Sequence, residues 1–205
     1  MKLFLASEAK HPDTIKKLSE YVDGLAGKKI AYIPTAANAE GWESWKEGGS
    51  WKLLHTLKAE ITLVQLEEET NPSVRSKLAN QDIIWFGGGY CGYLMYWIRH
   101  RQIDTYLPEL LKKSLYVGSS AGSMITAHSL KTAEWGFVDA EYGAHLIPGL
   151  GYTDFDIFPH YQEDQLNLIK QNYKGSKLYL LKNGEEIIYE DGLVTLVGKE
   201  RIITC

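Results

Sequence analysis

A mostly parallel α/β sheet covered on both faces by helices is the fold class this sequence predicts, and three observations predict it. Short apolar, β-branched runs alternate with helix-like stretches along most of the chain, the pattern of crossover-connected strands. No repeat, low-complexity stretch or linker interrupts the 205 residues, so residues 1–205 read as one domain. The last quarter changes character: Asn183-Gly184, Asp191-Gly192 and Gly198 separate short apolar runs, which is the punctuation of antiparallel hairpins at a sheet edge.

The elements follow in order. Residues 2–6 read as a short buried strand and 11–22 as a helix with Ile15, Leu18, Tyr21 and Val22 on one face. Residues 29–34 form a second strand whose Pro34 marks an end. A polar, Trp- and Glu-rich stretch follows, and a helix emerges within it and continues through 51–57. Residues 61–66 are a third strand, and 72–78 a helix with proline in its first turn. Asp82-Ile83-Ile84-Trp85-Phe86 is a fourth strand running into Gly87-Gly88-Gly89, then come helices over 90–101 and 103–113. Residues 115–117 feed the stretch Gly118-Ser119-Ser120-Ala121-Gly122, and a helix-like run follows. Residues 155–159 are a later strand with His160 just beyond it, and 164–173 a helix. In sheets of this class, sites form beyond the carboxyl ends of the strands. Gly87-Gly88-Gly89, Gly118 to Gly122 and Pro159-His160 all follow strands, so all three are expected along one edge of the sheet.

Composition excludes several classes. A net charge of −4 offers no basic patch for nucleic acid. No apolar run reaches the length of a membrane span, and the N-terminal apolar stretch is too short for a secretory signal. The two cysteines, Cys91 and Cys205, make no disulfide framework, which leaves a reducing cytoplasm as the expected compartment. The histidines and cysteines show no zinc spacing, so no metal and no cofactor is expected.

Gly118-Ser119-Ser120-Ala121-Gly122 has the layout of a nucleophile elbow, G-x-S-x-G. Two serines compete, but only Ser120 has glycine at both −2 and +2. A serine hydroxyl attacks only when a base takes its proton, and histidine is the usual base near neutral pH. His128 lies eight residues on along the same presumed helix, about 12 Å along the axis. His11 and His55 sit in polar helical contexts, His100 lies between Arg99 and Arg101, and His145 stays open in a loop-like segment. His160, held beyond a strand end by Pro159, is the preferred base. A third residue should orient it. Glu134, Asp139, Glu141, Asp154 and Asp156 lie between Ser120 and His160, and Glu134 is preferred. The Ala121 amide and the side-chain-free amides of Gly87-Gly88-Gly89 are candidate donors to a developing oxyanion. Cys91, at a helix start, is a rival nucleophile without an elbow. Tyr90, Tyr93, Tyr96 and Trp97 form an aromatic stripe that reads first as core or interface and second as a substrate wall.

With these residues assembled, the chain resembles the peptidase E (dipeptidase E) family of serine peptidases, which includes the cyanophycinases. The matching motifs are Ile84-Trp85-Phe86-Gly87-Gly88-Gly89, Gly118-Ser119-Ser120-Ala121-Gly122 and Pro159-His160-Tyr161, in order and at fitting spacing. The resemblance implies a three-layer α/β fold similar to class I glutamine amidotransferases. It implies Ser120 as nucleophile, His160 as base, and an acid a helix-length beyond the serine, which points to Glu134. Gly88 or Gly89 with Ala121 would supply the oxyanion amides. Peptidase E cleaves dipeptides with N-terminal aspartate, and other members cut other acidic or isopeptide-linked substrates. This chain departs where the family usually follows the glycine triplet with Asn and a small polar residue. Tyr90-Cys91 stand there, beside the substrate, which opens the specificity. The expectation is a peptidase for short peptides, monomeric or homodimeric, without nucleic-acid or membrane partners. An esterase or amidase on the same machinery, and a non-catalytic amidotransferase-like binding module, are the alternatives.

Overall fold

The computed structural model describes residues 1–204, and Cys205 lies outside them. The strands are β1 (Lys2–Ala6), β2 (Lys29–Ile33), β3 (Glu60–Leu63), β4 (Ile83–Phe86), β5 (Leu115–Ser119), β6 (Asp156–Phe158), β7 (Lys177–Leu180), β8 (Glu186–Glu190), β9 (Leu193–Val197) and β10 (Ile202–Thr204). The larger sheet has the order β3-β2-β4-β5-β1-β8-β9, parallel from β3 through β1 and antiparallel at β8 and β9.

The inner parallel strands β1, β2, β4 and β5 are almost wholly buried because both faces are covered, whereas the edge strand β3 is half-exposed. Alternate residues of each strand enter opposite cores. Leu3, Leu5, Ile33, Ile84, Phe86 and Tyr116 face the helices Cys91–His100 and Ile103–Leu110. Phe4, Ile30, Tyr32, Ile83, Trp85 and Val117 face Leu18 of helix Pro12–Tyr21 and Leu54 of helix Gly49–Leu54. Helix, sheet and helix thus form three layers, as expected. No helix of the described residues is long and apolar enough to cross a membrane.

The C-terminal segment agrees with the sequence in one part and differs in another. β8 and β9 are a hairpin on the sheet edge, and Asp191 (φ 47°) and Gly192 (φ 94°) take the positive φ values that a two-residue turn needs. Asn183-Gly184, however, joins no hairpin. β7 leaves the large sheet and pairs with β6 and β10 in a separate three-stranded sheet of order β10-β7-β6. This small sheet has its own core of Phe158, Tyr161, Ile169, Tyr173, Leu178 and Leu180 beneath helix Leu166–Asn172. Pro159-His160 therefore follows a strand of the second sheet, not of the first.

Glu186, the first residue of β8, is a buried carboxylate with no exposed surface. Its Oε2 accepts from the Thr14 hydroxyl at 2.9 Å, while Oε1 has no partner among the described residues. Burial pushes its pKa up to about 7, with the Thr14 hydrogen bond pulling the other way. Because the folded state holds this proton more tightly than the unfolded chain, stability is lost as pH rises from about 4.5 to about 7. The penalty above pH 7 is at most about 3 kcal/mol. Glu186→Gln is accordingly expected to melt several degrees above the parent at pH 8. The gap should close near pH 5, which thermal unfolding at the two pH values checks.

Candidate active site

The elbow is built by β5 and the helix Ala121–Met124 that follows it. That helix is a single turn, so His128 is not on it and is exposed. Ser120 sits at φ 52°, ψ −111°, a conformation that non-glycine residues rarely adopt. Close packing holds it there. A Cβ on Gly122 would lie 2.2 Å from the Phe86 carbonyl oxygen, and one on Gly118 2.6 Å from the Gly122 oxygen. The Ser120 amide donates to Ala6 O at 3.1 Å, and the Ser123 hydroxyl donates to the same oxygen at 2.8 Å. The two competing serines point different ways. Ser119 is buried and its Oγ accepts from the Ala9 amide at 3.0 Å. Ser120 Oγ lies 2.9 Å from His160 Nε2.

His160 also has a positive φ, 55°, and its amide donates to Ser7 Oγ at 2.8 Å. The other ring nitrogen, Nδ1, lies 2.7 Å from Asn183 Oδ1. Sequence reasoning missed Asn183, and Glu134, the preferred orienter, does not meet the ring. Glu134 lies on helix Lys131–Phe137, not in a loop. Its neighbour Trp135 stacks on Phe158, and among the described residues no hydrogen bond or ion pair reaches its carboxylate.

None of the other carboxylates meets His160 either. Asp139 is buried and accepts from the Cys91 amide at 2.5 Å and the Gly92 amide at 3.3 Å, capping helix Cys91–His100. Burial raises its pKa while those amides oppose the rise. Asp156 accepts from the Tyr173 hydroxyl at 2.8 Å, and Glu141 and Asp154 are exposed.

Gly87-Gly88-Gly89 wraps against the elbow. Its ends are pinned by Gly87 N–H to Ile33 O and Tyr90 N–H to Ala36 O, both at 3.0 Å. Between these anchors the Gly88 and Gly89 amides donate to no group of the described residues, and neither does the Ala121 amide. A Cβ on Gly88 would stand 3.2 Å from Ser120 Cβ, a crowded contact that the bare glycine avoids. Gly89 adopts φ 132° and packs on the Ala36 carbonyl.

Ser120, His160, Gly88, Gly89 and Tyr90 line one cleft of about 400 Å³. Tyr90 is half-buried and meets Tyr142 edge to face, with ring centres 4.7 Å apart. Cys91 borders the same cleft but is buried, and that burial, with Asp139 beside it, raises its thiol pKa well above the usual range. It therefore stays a neutral thiol. Among the described residues no group of three or more His, Cys, Asp or Glu side chains could hold a metal ion.

Comparison with known proteins finds the relatives of this chain among peptidases. A family model described as peptidase family S51 matches residues 3–197. The "Uncharacterized peptidase Lmo0363" of Listeria monocytogenes serovar 1/2a is 29% identical over 194 residues, covering 90% of this chain and 92% of that one. The "Uncharacterized peptidase Lin0382" of Listeria innocua serovar 6a is 27% identical over 198 residues, covering 92% of each. Among solved structures, a "Putative Peptidase E Protein" from Listeria monocytogenes EGD-e superposes with a TM-score of 0.81 at 25% identity, covering 98% of both chains. A peptidase from an acI-B1 Actinobacterium shares the fold, with a TM-score of 0.71 at 20% identity, covering 99% of this chain and 89% of that one.

Proposed function

We propose, from the premise that this chain belongs to peptidase family S51, that it hydrolyses short peptides through Ser120 as nucleophile and His160 as general base. One observation carries this assignment: the 2.9 Å contact between Ser120 Oγ and His160 Nε2, with the serine raised on a strained elbow. Such a contact is within the reach that proton abstraction requires.

The steps follow from the geometry. Nε2 takes the hydroxyl proton as Oγ attacks the scissile carbonyl. The oxyanion that develops is met by amides among Gly88, Gly89 and Ala121, which donate to no acceptor of the described residues and so are free to receive it. The imidazolium then gives its proton to the leaving amine. Water, deprotonated by the same imidazole, releases the acyl group. The cleft of about 400 Å³ matches a substrate of a few residues rather than a folded chain, which supports a dipeptidase-like reading. Lys10, Glu8 and Tyr90 border it, so both charge signs and an aromatic ring meet the substrate.

The test uses two measurements on the full chain. A fluorophosphonate probe is expected to label Ser120 and no other serine. A panel of dipeptides and tripeptides, Asp-X included, set against acyl esters is expected to show peptide turnover above ester turnover. Absence of labelling together with absence of peptide hydrolysis would reject the assignment.

A further inference from the structure

We propose that Asn183 is the positioning residue for His160, so that a neutral amide stands where the resemblance implies a carboxylate. The inference rests on the peptidase reading above. It starts from the 2.7 Å contact between His160 Nδ1 and Asn183 Oδ1. A ring that accepts the serine proton at Nε2 must carry its own proton at Nδ1, and an acceptor at Nδ1 selects that tautomer. Oδ1 supplies the acceptor. The reverse amide orientation would present N–H to Nδ1 and leave Nε2 protonated, unable to act as base. The Ser7 hydroxyl lies within reach of Asn183 Oδ1 at 3.3 Å and of Leu181 O at 3.2 Å, with one proton to donate to either. The same Ser7 oxygen accepts the His160 amide at 2.8 Å, so one side chain braces both partners.

The turn that carries Asn183 is fastened on all sides. Glu185 N–H donates to Lys182 O at 3.0 Å, and Lys182 N–H donates to Glu185 Oε2 at 2.8 Å. The Glu185 carboxylate pairs with Arg201 at 2.7 Å. Gly184 takes φ 88° with the His11 ring against it, 2.9 Å from where a Cβ would stand. An amide held this firmly keeps the imidazole in place without a charge.

The absence of a charge has a consequence. When His160 becomes an imidazolium, no carboxylate contacts its Nδ1. Its charged surroundings are Glu8, Lys10, Glu40 and Asp139 along the cleft, with Lys182 and Glu185 flanking Asn183. Asn183→Asp would place a negative charge in contact with the ring and favour its protonated form. The base would then be available only at higher pH.

The experiment compares Asn183→Ala, Asn183→Asp and Glu134→Gln with the parent. It reads kcat, KM and the pH profile of kcat/KM on a short peptide, plus the pH dependence of fluorophosphonate labelling of Ser120. Asn183→Ala is expected to lower kcat about 10²-fold with KM within about twofold. Asn183→Asp is expected to move the acid limb of both profiles up by about one pH unit while keeping turnover at alkaline pH. Glu134→Gln is expected to behave as the parent. Full kcat in Asn183→Ala, superimposed profiles in Asn183→Asp, or loss of kcat in Glu134→Gln would each overturn the proposal. Should Asn183→Ala fail to fold, the Asn183→Asp profile decides. Should no peptide be cleaved while the probe still labels Ser120, the substrate reading fails and the labelling profile still tests Asn183.

Discussion

Ser120→Ala is expected to reduce peptide hydrolysis about 10⁴-fold or more, to a residue supplied by the oxyanion amides and substrate binding alone. The size follows from the chemistry. Neither rival nucleophile at the cleft can take its place: Ser119 is tied to the Ala9 amide, and Cys91 is a buried thiol held neutral. KM should change little, because the hydroxyl is needed for the reaction rather than for holding the substrate. Ser120→Gly should lose activity to the same degree and yet be more stable than the parent. A backbone at φ 52°, ψ −111° costs a side-chain-bearing residue about 1–3 kcal/mol, and glycine escapes that cost. A melting temperature higher by a few degrees, with no turnover, is the expected pair of results. A Ser120→Gly variant less stable than Ser120→Ala would show that the elbow is not strained.

Gly122→Ala is expected to damage both stability and activity severely. A Cβ there would lie 2.2 Å from Phe86 O, 2.8 Å from Phe86 C and 2.9 Å from Phe86 Cβ. Two of those three atoms are backbone of a central strand with neighbours on both sides, so they cannot swing away as a side chain would. The cost is about 3 kcal/mol or more, at the upper end for overpacked cores. That corresponds to a fall of roughly 10 °C in melting temperature. Activity should fall too, because separating the helix Ala121–Met124 from β4 displaces both Ser120 and the Ala121 amide. Differential scanning calorimetry and turnover on one short peptide check both parts. A variant melting within about 2 °C of the parent would mean that the packing gives way more easily than the backbone contacts indicate.

Much of this arrangement was legible in the sequence, for reasons that can be named. The central strands announce themselves because they are buried on both faces and so contain little but apolar residues. The elbow was legible because close backbone approach leaves only glycine at positions 118 and 122. The β8–β9 turn was legible because positive φ at two successive residues selects Asp-Gly. The partner of His160 was not. A carboxylate draws the eye as a candidate orienter, whereas Asn183 sits in an Asn-Gly pair that has the composition of any hairpin turn. The chemistry of that turn was read correctly and its connection was not. The strand before it pairs with β6, a partner about twenty residues back, and nothing local in Lys177–Leu180 specifies that choice. Glu134 was chosen by distance along the chain, yet Trp135 beside it packs on Phe158.

The two sheets give the protein a property that neither has alone. Ser120 and His160 are carried by different sheets, Ser120 at the end of β5 and His160 just beyond β6. The sheets are joined by the Ser7 contacts to His160 and Asn183, by the passage from Leu181 to Glu186, and by Ile157 and Tyr179 in the shared core, with Phe155 against Tyr189 of β8. One face of the small sheet has its own core around Phe158 and Leu178, while Ile157 and Tyr179 on the other face enter the core of the large sheet, so each sheet holds the other in register. The Ser120–His160 distance is therefore set by how two sheets pack on a shared core. A shift of about 1 Å at the joint is enough to idle the catalytic pair. Activity should accordingly report on the joint more sensitively than any measure of secondary structure.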